Sequence, residues 1–266
     1  MSAIDMHAHA FPDALAPRAV AALEKAAPWQ AVGDGTAGGL IAAMDAADID
    51  VAVACTIATR PRQAGGILRW CRKIRSDRVE PFPSVHPDAS KADKHVAKIA
   101  EAGFVGIKLH PMYQDFAADE PRMDSIYAAA SEAGLLVTLH CGRDIAYPPD
   151  DDRAAPRRIR AVIERHPSLR LLCTHLGGWQ LWDEADRELI GRDVWLETSF
   201  ALGERGVDAA TAADMIRRHG IERVCFGSDW PWAAPARALE LLGQCGLTRA
   251  ERQRLLWSNA ARLLGY

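Results

Sequence analysis

The length, composition and charge of the chain limit what kind of protein it can be. Its 266 residues are 49% hydrophobic and 25% charged, close to the globular average and sufficient to bury a substantial core. The net charge is −3, and no dense run of Lys or Arg suggests a surface that neutralises phosphates. We therefore expect no nucleic-acid partner.

The chain also lacks the signals of export or membrane insertion. Asp5, His7 and His9 interrupt the first apolar residues, and no stretch approaches the roughly 18 to 20 apolar residues that span a bilayer. The six cysteines are scattered without C-x-x-C pairs, as is typical of reduced thiols. We therefore expect a cytoplasmic protein that does not bind membranes.

Short apolar runs alternate along the chain with longer segments of helical periodicity, which is the pattern of βα units and a parallel sheet. The eight predicted strands are 3–9, 51–57, 79–86, 104–110, 135–140, 169–175, 194–199 and 223–229. Helices are predicted between them, among them 90–102, 121–133 and 207–219, and a last helix over 248–264 begins with the capping pair Thr248 and Glu251.

Eight such alternations without a linker predict one (β/α)8 barrel, a TIM barrel, as a single domain over residues 1–266. An open doubly wound sheet is the alternative. It would normally place a glycine-rich phosphate loop directly after the first strand, and the sequence has none there. The four glycines at positions 33, 35, 38 and 39 come later and are interpreted as a flexible loop over the barrel mouth.

Polar residues recur where the predicted strands end, which is where barrel enzymes build their sites. His7 and His9 are two residues apart on strand 1 and therefore point to the same side. His140, His175 and Asp229 end strands 5, 6 and 8. A single strand-end histidine is usually a hydrogen-bonding loop residue, but this joint placement indicates a site for zinc or another first-row divalent ion.

These motifs also resemble a known family. The residues D-x-H-x-H at Asp5, H-C-G at His140, H-L-G-G at His175, G-S-D-W-P at Gly227 and N-A-A-R-L-L-G at Asn259 are similar to those of the amidohydrolase superfamily. More narrowly, they resemble the amidohydrolase 2 branch, which contains aminocarboxymuconate-semialdehyde decarboxylase. The resemblance covers residues 3 to 265 and is specific for fold and superfamily rather than for substrate.

The resemblance implies a role for each site residue. His7, His9, His140 and Asp229 would bind one divalent metal, most simply zinc, with manganese or another first-row ion as alternatives. His175 would act as an acid or base beside the metal-bound water, and Asp229 would also accept a proton from that water. Relatives in this branch are often dimers, so we expect a homodimer.

Lys108 and His110 end strand 4 and leave an alternative open. Binuclear members of the superfamily use a carboxylated lysine on strand 4, so Lys108, His140 and His175 could hold a second metal. Because the flanking motifs resemble the mononuclear branch, we predict instead that Lys108 binds a substrate carboxylate or oxyanion. His110, two residues further on the same face, is a second candidate for substrate contact.

The predicted function is metal-dependent hydrolysis of a small amide, lactone or related acyl compound by metal-activated water. The alternative is non-oxidative decarboxylation of an unsaturated or aromatic acid. A deoxyribonuclease barrel and a non-catalytic binding barrel are further alternatives. Among weaker candidates, Arg143 could clamp a carboxylate, tryptophans such as Trp179 could wall a pocket, and His219 is expected to face solvent.

Overall fold

Within residues 2–203 and 205–266, which the computed structural model describes, eight parallel strands alternate with helices. The strands are β1 (Ile4–His9), β2 (Val51–Cys55), β3 (Val79–Phe82), β4 (Gly106–Leu109), β5 (Leu136–Leu139), β6 (Arg170–Cys173), β7 (Trp195–Glu197) and β8 (Val224–Cys225). The helices are α1 (Ala16–Ala26), α2 (Ala37–Ala47), α3 (Ala64–Ile74), α4 (Ala92–Glu101), α5 (Asp124–Glu132), α6 (Pro156–Arg165), α7 (Trp182–Glu188), α8 (Ala209–His219), α9 (Pro235–Gly243), α10 (Arg249–Gln253) and α11 (Asn259–Leu264).

The strands close into a barrel. Neighbouring strands pair in chain order from β1 to β3 and from β4 to β8. Between β3 and β4, the Lys108 amide donates to the Pro83 carbonyl at 2.9 Å. Between β8 and β1, the Met6 amide donates to the Phe226 carbonyl at 2.9 Å and the Asp229 amide donates to the His7 carbonyl at 2.6 Å. The predicted (β/α)8 barrel is confirmed.

The hydrophobic pattern explains how the helices cover the barrel. All six residues of β1 are buried, as expected for a strand with the barrel interior on one side and helices on the other. On the outer layer, the apolar side chains of Ile126, Tyr127 and Ala130 in α5, and of Met123 just before it, are fully buried. These side chains pack into the main core between the strands and the helices.

The terminal helix forms largely as predicted. Thr248 and Glu251 make the reciprocal capping box, and the helix runs through a π-helical turn, Arg254–Ser258, that separates α10 from α11. Asn259 follows that turn, and its side-chain amide donates to the carbonyls of Ile221 and Val224, both at 2.7 Å. These bonds attach the helix to the start of β8.

Two local predictions were wrong. Gly38 and Gly39 do not belong to a loop but form the first turn of α2, which Thr36 caps by accepting from the Gly39 amide at 2.9 Å. His219 does not face solvent, because the end of α8 packs against the segment before β7 and leaves that side chain 1% exposed. The first difference arises from the local cap at Thr36, whereas the second arises from tertiary packing.

Two features bear on the expected cellular setting. None of the helices in the described part of the chain combines the length and the apolar character needed to cross a membrane. All six cysteines are free and buried, in agreement with the expectation of reduced thiols.

Candidate metal centre

The predicted site residues meet at the rim formed by the carboxyl ends of the strands. His7 and His9 lie within β1, whereas His140 directly follows β5, His175 lies two residues past β6 and Asp229 four residues past β8. The predicted strands 6 and 8 were therefore too long. The reason is local, since His175 (φ 60°) and Asp229 (φ 67°) adopt left-handed backbone conformations that a strand does not accommodate.

Three of the four predicted metal ligands converge. Donor atoms of His7, His9 and Asp229 all lie within 4.8 Å of one another. The Nε2 atoms of the two histidines are 3.2 Å apart. Oδ1 of Asp229 lies 3.1 Å from Nε2 of His9 and 3.5 Å from Nε2 of His7.

The hydrogen bonds on the far side of these rings assign their tautomers. Nδ1 of His7 donates to Oε1 of Glu197 at 2.9 Å, and Nδ1 of His9 donates to the Cys55 carbonyl at 3.0 Å. The two Nε2 atoms therefore present lone pairs to each other, and two lone pairs cannot share a hydrogen bond. A cation between them satisfies both nitrogens.

His140 and His175 form a second pair beside this group. Nε2 of His140 donates to the Arg143 carbonyl at 3.1 Å, and Nδ1 of His175 donates to the Ser199 carbonyl at 2.9 Å. Their remaining nitrogens, Nδ1 of His140 and Nε2 of His175, are 3.2 Å apart. His140 itself clusters with His110 and Asp144. Its role as the fourth ligand stays a prediction.

The donor set fits a divalent metal ion. Each of the four histidines uses one nitrogen on a protein acceptor and turns the other toward the site, where Lys108 Nζ lies 3.1 Å from Nε2 of His7. Among the described residues, Asp229 Oδ1 is buried without a hydrogen-bond partner. Neutral imidazoles and one carboxylate are typical ligands of zinc and similar ions. These imidazoles and this carboxylate are therefore suitable ligands for a divalent ion at the mouth of the barrel.

Burial and charge favour the protonation states that bind metal. Burial lowers the pKa of His7 to about 4. Burial, together with the neighbouring His110, lowers the pKa of His140 well below its usual value. Burial alone would raise the pKa of Asp229, but His7 and His9 hold it well below the ordinary carboxyl value. His7 and His140 are thus neutral and the Asp229 carboxylate is ionised near pH 7, as metal binding requires.

Glu197, at the end of β7, is a site residue that the sequence prediction missed. Its Oε1 accepts from His7 Nδ1, from the Ser199 hydroxyl at 2.7 Å and from the His175 amide at 3.0 Å, and its Oε2 accepts from the Ser199 amide at 2.6 Å. Burial would raise its pKa, but His7 lowers it to about 2. Its place at a strand end was a signal that could have identified it.

A second missed carboxylate, Asp5, joins the first and last strands. One of its oxygens accepts the amides of His7 at 3.1 Å and Ser228 at 2.9 Å, and the other accepts the Ser228 hydroxyl. Burial raises the pKa of Asp5 to about 7. Because these bonds connect the residues next to Asp229 with those next to His7, they set the distance between the two ligands.

Lys108 and His110 lie beside the centre as predicted from strand 4. Lys108 is fully buried, with Nζ 3.1 Å from Nε2 of His7. The His110 ring stacks on that of His140 with centroids 4.0 Å apart, and its Nε2 lies 3.3 Å from Oδ2 of Asp144. Both residues line a cavity that opens above the metal centre.

A cavity of about 560 Å³ opens above these residues. The metal-centre residues form one part of its wall, together with Lys108 and His110. Aromatic and aliphatic side chains form much of the rest: Phe11, Leu15, Leu23, Trp29, Ile57, Ile67, Trp70, Tyr113, Ile145, Trp179, Phe200 and Trp232. This shape and lining suit a small, largely planar organic molecule.

The sequence matches the amidohydrolase family over residues 4–266. The chain belongs to this family. The predicted resemblance to the amidohydrolase 2 branch is thereby confirmed. The family is metal-dependent, and His7, His9 and Asp229 form a group that could hold a metal ion.

This amidohydrolase is similar to proteins named as decarboxylases and to one named as a probable hydrolase. It is 24% identical over 255 residues to the gamma-resorcylate decarboxylase of Rhodococcus jostii, covering 76% of this chain and 75% of that protein. Its fold is similar to that of 5-carboxyvanillate decarboxylase from Sphingomonas paucimobilis, with a TM-score of 0.73, 15% identity and 99% of each chain covered. It is also similar to a probable 2-pyrone-4,6-dicarboxylic acid hydrolase from Acinetobacter baumannii, with a TM-score of 0.71, 16% identity and 100% of each chain covered.

Proposed function

We propose that this amidohydrolase catalyses the non-oxidative decarboxylation of an aromatic carboxylic acid. The observation that carries the proposal is the cavity, in which ionised Asp229 and the inward-facing histidines lie next to aromatic and aliphatic walls. The similarity to the gamma-resorcylate decarboxylase of R. jostii supports the same reaction. Decarboxylation was the alternative in the sequence analysis, and these observations move it ahead of hydrolysis.

The metal would be held by His7, His9 and Asp229, with His140 as the fourth ligand. A bound divalent ion, most simply zinc, would supply a Lewis acid that orients and polarises the oxygens of the substrate. Lys108, fully buried beside His7, would add a cation for a carboxylate or a developing oxyanion. His110, stacked on His140, would contact the substrate ring.

The chemical step then depends on the residues around the substrate. The apolar walls exclude water, and a poorly solvated carboxylate loses CO2 more readily. The bond between ring carbon and carboxyl carbon breaks, CO2 leaves, and the electron pair remains on the ring carbon. That carbon takes up one proton from Asp229, which has accepted it from a water molecule. The hydroxide left by that water combines with the released CO2 to give bicarbonate, so the step balances. His175, 3.2 Å from His140, is placed to hand on a proton at its Nε2 atom.

Hydrolysis of a lactone or amide is the second candidate, favoured by the same centre. A metal ion held by these ligands could activate a water molecule. The probable 2-pyrone-4,6-dicarboxylic acid hydrolase of A. baumannii also has this fold. The two reactions differ in product, since only decarboxylation releases CO2.

The test uses protein loaded with Zn²⁺ or Mn²⁺ and two substrate panels. One contains hydroxybenzoates, among them 2,6-dihydroxybenzoate, and the other contains lactones and amides. We expect CO2 release from at least one acid and loss of that activity on chelation. Turnover of the lactones or amides alone would replace the proposal by hydrolysis, and turnover of neither panel would contradict both.

Variants then test the residues. His175→Gln and Asp229→Asn should each lower kcat by about 10² to 10⁴, the usual contribution of an acid or base. His95→Gln on α4, outside the cavity, serves as the matched control and should retain activity. If His7→Ala retained both stoichiometric metal and activity, the ligand assignment would be wrong.

A further inference from the structure

Arg143, three residues after His140, is a cation without a carboxylate partner in the described part of the chain. Nearby arginines at positions 153, 157 and 158 each pair with an aspartate. Among residues 2–203 and 205–266, by contrast, no carboxylate lies within 4.0 Å of the Arg143 guanidinium, and its Nε is buried without any hydrogen-bond partner. Arg143 lines the cavity above the metal centre.

Trp179, in the loop after β6, lines the same cavity and carries a second donor that has no hydrogen-bond partner in the described part of the chain. Its side chain is almost entirely buried, at 7% exposed, yet its indole Nε1 has no acceptor in the described part of the chain. Buried indole N–H groups are nearly always hydrogen-bonded, because leaving one unpaired costs its full desolvation energy. The missing acceptor is therefore expected to come from a bound molecule.

The backbone holds these two donors together. The Arg143 amide donates to the Trp179 carbonyl at 2.9 Å, and the Trp179 amide donates to the Cys141 carbonyl at 3.0 Å. Gly142 lies between them with φ 94°, and a Cβ there would meet the Trp179 nitrogen at 2.1 Å. Only glycine allows the two loops to approach so closely, so the fold holds the backbones that carry Arg143 and Trp179 side by side.

We propose that Arg143 and Trp179 form a subsite for an anionic oxygen group, a carboxylate, of the substrate. Both residues offer only donors, and one is positively charged, which selects a carboxylate over a hydroxyl or an amide. The subsite is built from the loops after β5 and β6, whereas the metal would engage the group that reacts. The inference rests on the proposed function and names its substrate class: an aromatic acid with a second carboxylate.

The experiment measures equilibrium binding, by calorimetry, to the zinc-loaded enzyme. The probes are benzoate and its three derivatives with a second carboxylate: phthalate, isophthalate and terephthalate. In the wild-type enzyme at least one dicarboxylate should bind about tenfold or more tightly than benzoate, the effect of a charge-assisted hydrogen bond. Arg143→Met should abolish that advantage while leaving the affinity for benzoate unchanged.

Two further variants make the test specific. Trp179→Phe keeps the ring and removes the N–H, and should reduce the dicarboxylate advantage about threefold to tenfold. Arg62→Met removes an exposed arginine from the same cavity wall and should leave the advantage intact. Metal content and thermal midpoint, measured for each variant, show whether it folds and loads.

The outcomes separate this inference from the proposed reaction. Three results would overturn the subsite. The wild type could show no preference for dicarboxylates over benzoate, the preference could survive Arg143→Met, or it could fall equally in Arg62→Met. If the advantage depends on Arg143 but the enzyme neither decarboxylates nor hydrolyses any compound, the subsite stands and the proposed function fails. If the enzyme decarboxylates an acid but the dicarboxylate advantage is absent or does not depend on Arg143, the proposed function stands and the subsite fails.

Discussion

At the scale of single residues, the hydrogen-bond partner of each histidine determines which nitrogen is free to bind an ion. His7 and His9 bond through Nδ1 and offer Nε2, whereas His140 bonds through Nε2 and offers Nδ1. The partners are a carboxylate and backbone carbonyls, which hold the rings and increase their basicity as ligands.

Substituting Glu197→Gln tests this arrangement. All the groups that bond to Glu197 are donors, so an amide would place an N–H against another donor and weaken the hold on His7. We expect metal affinity to fall about tenfold to 100-fold, as is usual for such partners of a ligating histidine. Competition with a chromogenic chelator measures the affinity.

The matched control is Glu80→Gln. Glu80 is also a buried carboxylate at a strand, but it pairs with Arg75 outside the cavity. Its substitution should leave metal affinity unchanged, whatever it does to the thermal midpoint. Equal metal affinity in the Glu197→Gln protein and the wild type would show that Glu197 does not support the centre.

At the scale of elements, loops rather than strands complete the site, and close backbone contacts hold those loops in place. One such contact joins the loops after β5 and β6 at Gly142 and Trp179. It lies between His140 and Arg143, so a disturbance there would reach both the metal centre and the proposed carboxylate subsite.

Gly142→Ala should therefore destabilise the protein by about 3 kcal/mol or more, from the positive φ and the steric overlap together. Gly134→Ala is the control, since φ there is 65° but no atom lies within 4 Å of the new Cβ. It should cost only about 1 kcal/mol, the backbone contribution alone. Urea unfolding measures both, and equal losses would contradict the proposed steric contact.

His219 connects two elements and makes stability depend on pH. Its Nε2 donates to the Val194 carbonyl at 2.8 Å and its Nδ1 accepts the Gly191 amide at 3.2 Å, so only the neutral ring satisfies both bonds. Burial lowers its pKa from 6.5 to about 4. Between these values the unfolded state binds more protons than the folded state, so the stabilisation is complete above pH 6.5 and is lost as pH falls toward 4.

The corresponding measurement compares the wild type with His219→Gln by urea unfolding at pH 7 and pH 4.5. The lowered pKa of His219 corresponds to about 3 kcal/mol of folding free energy. The free energy of unfolding of the wild type should therefore exceed that of the variant by roughly this amount more at pH 7 than at pH 4.5. A difference between the two proteins that does not change with pH would contradict this role.

At the scale of the whole molecule, one continuous core lies between the strands and the helices. We propose that residues 1–266 behave as a single domain, and we expect tryptophan fluorescence and far-ultraviolet circular dichroism to report one coincident thermal transition. Two separated transitions would contradict this. The homodimer and the cytoplasmic location stay predictions, the first of which the molar mass in solution would test.

The sequence alone determined the fold and most of the residues at the centre. Strand periodicity and the placement of polar residues after apolar runs identified the barrel, the pair His7 and His9, and the approach of Asp229 to them, because alternation along a strand and closure of a parallel barrel leave few arrangements. The motifs at His140 and His175 identified the family.

Only the tertiary structure decided which atoms face each other. Hydrogen bonds between residues about 190 positions apart, such as His7 with Glu197, assign the tautomers, and left-handed turns at His175 and Asp229 aim those side chains. The burial of His219 and the unsatisfied donors of Arg143 and Trp179 have the same origin. These features depend on contacts between distant strands and loops, which local patterns along the chain do not encode.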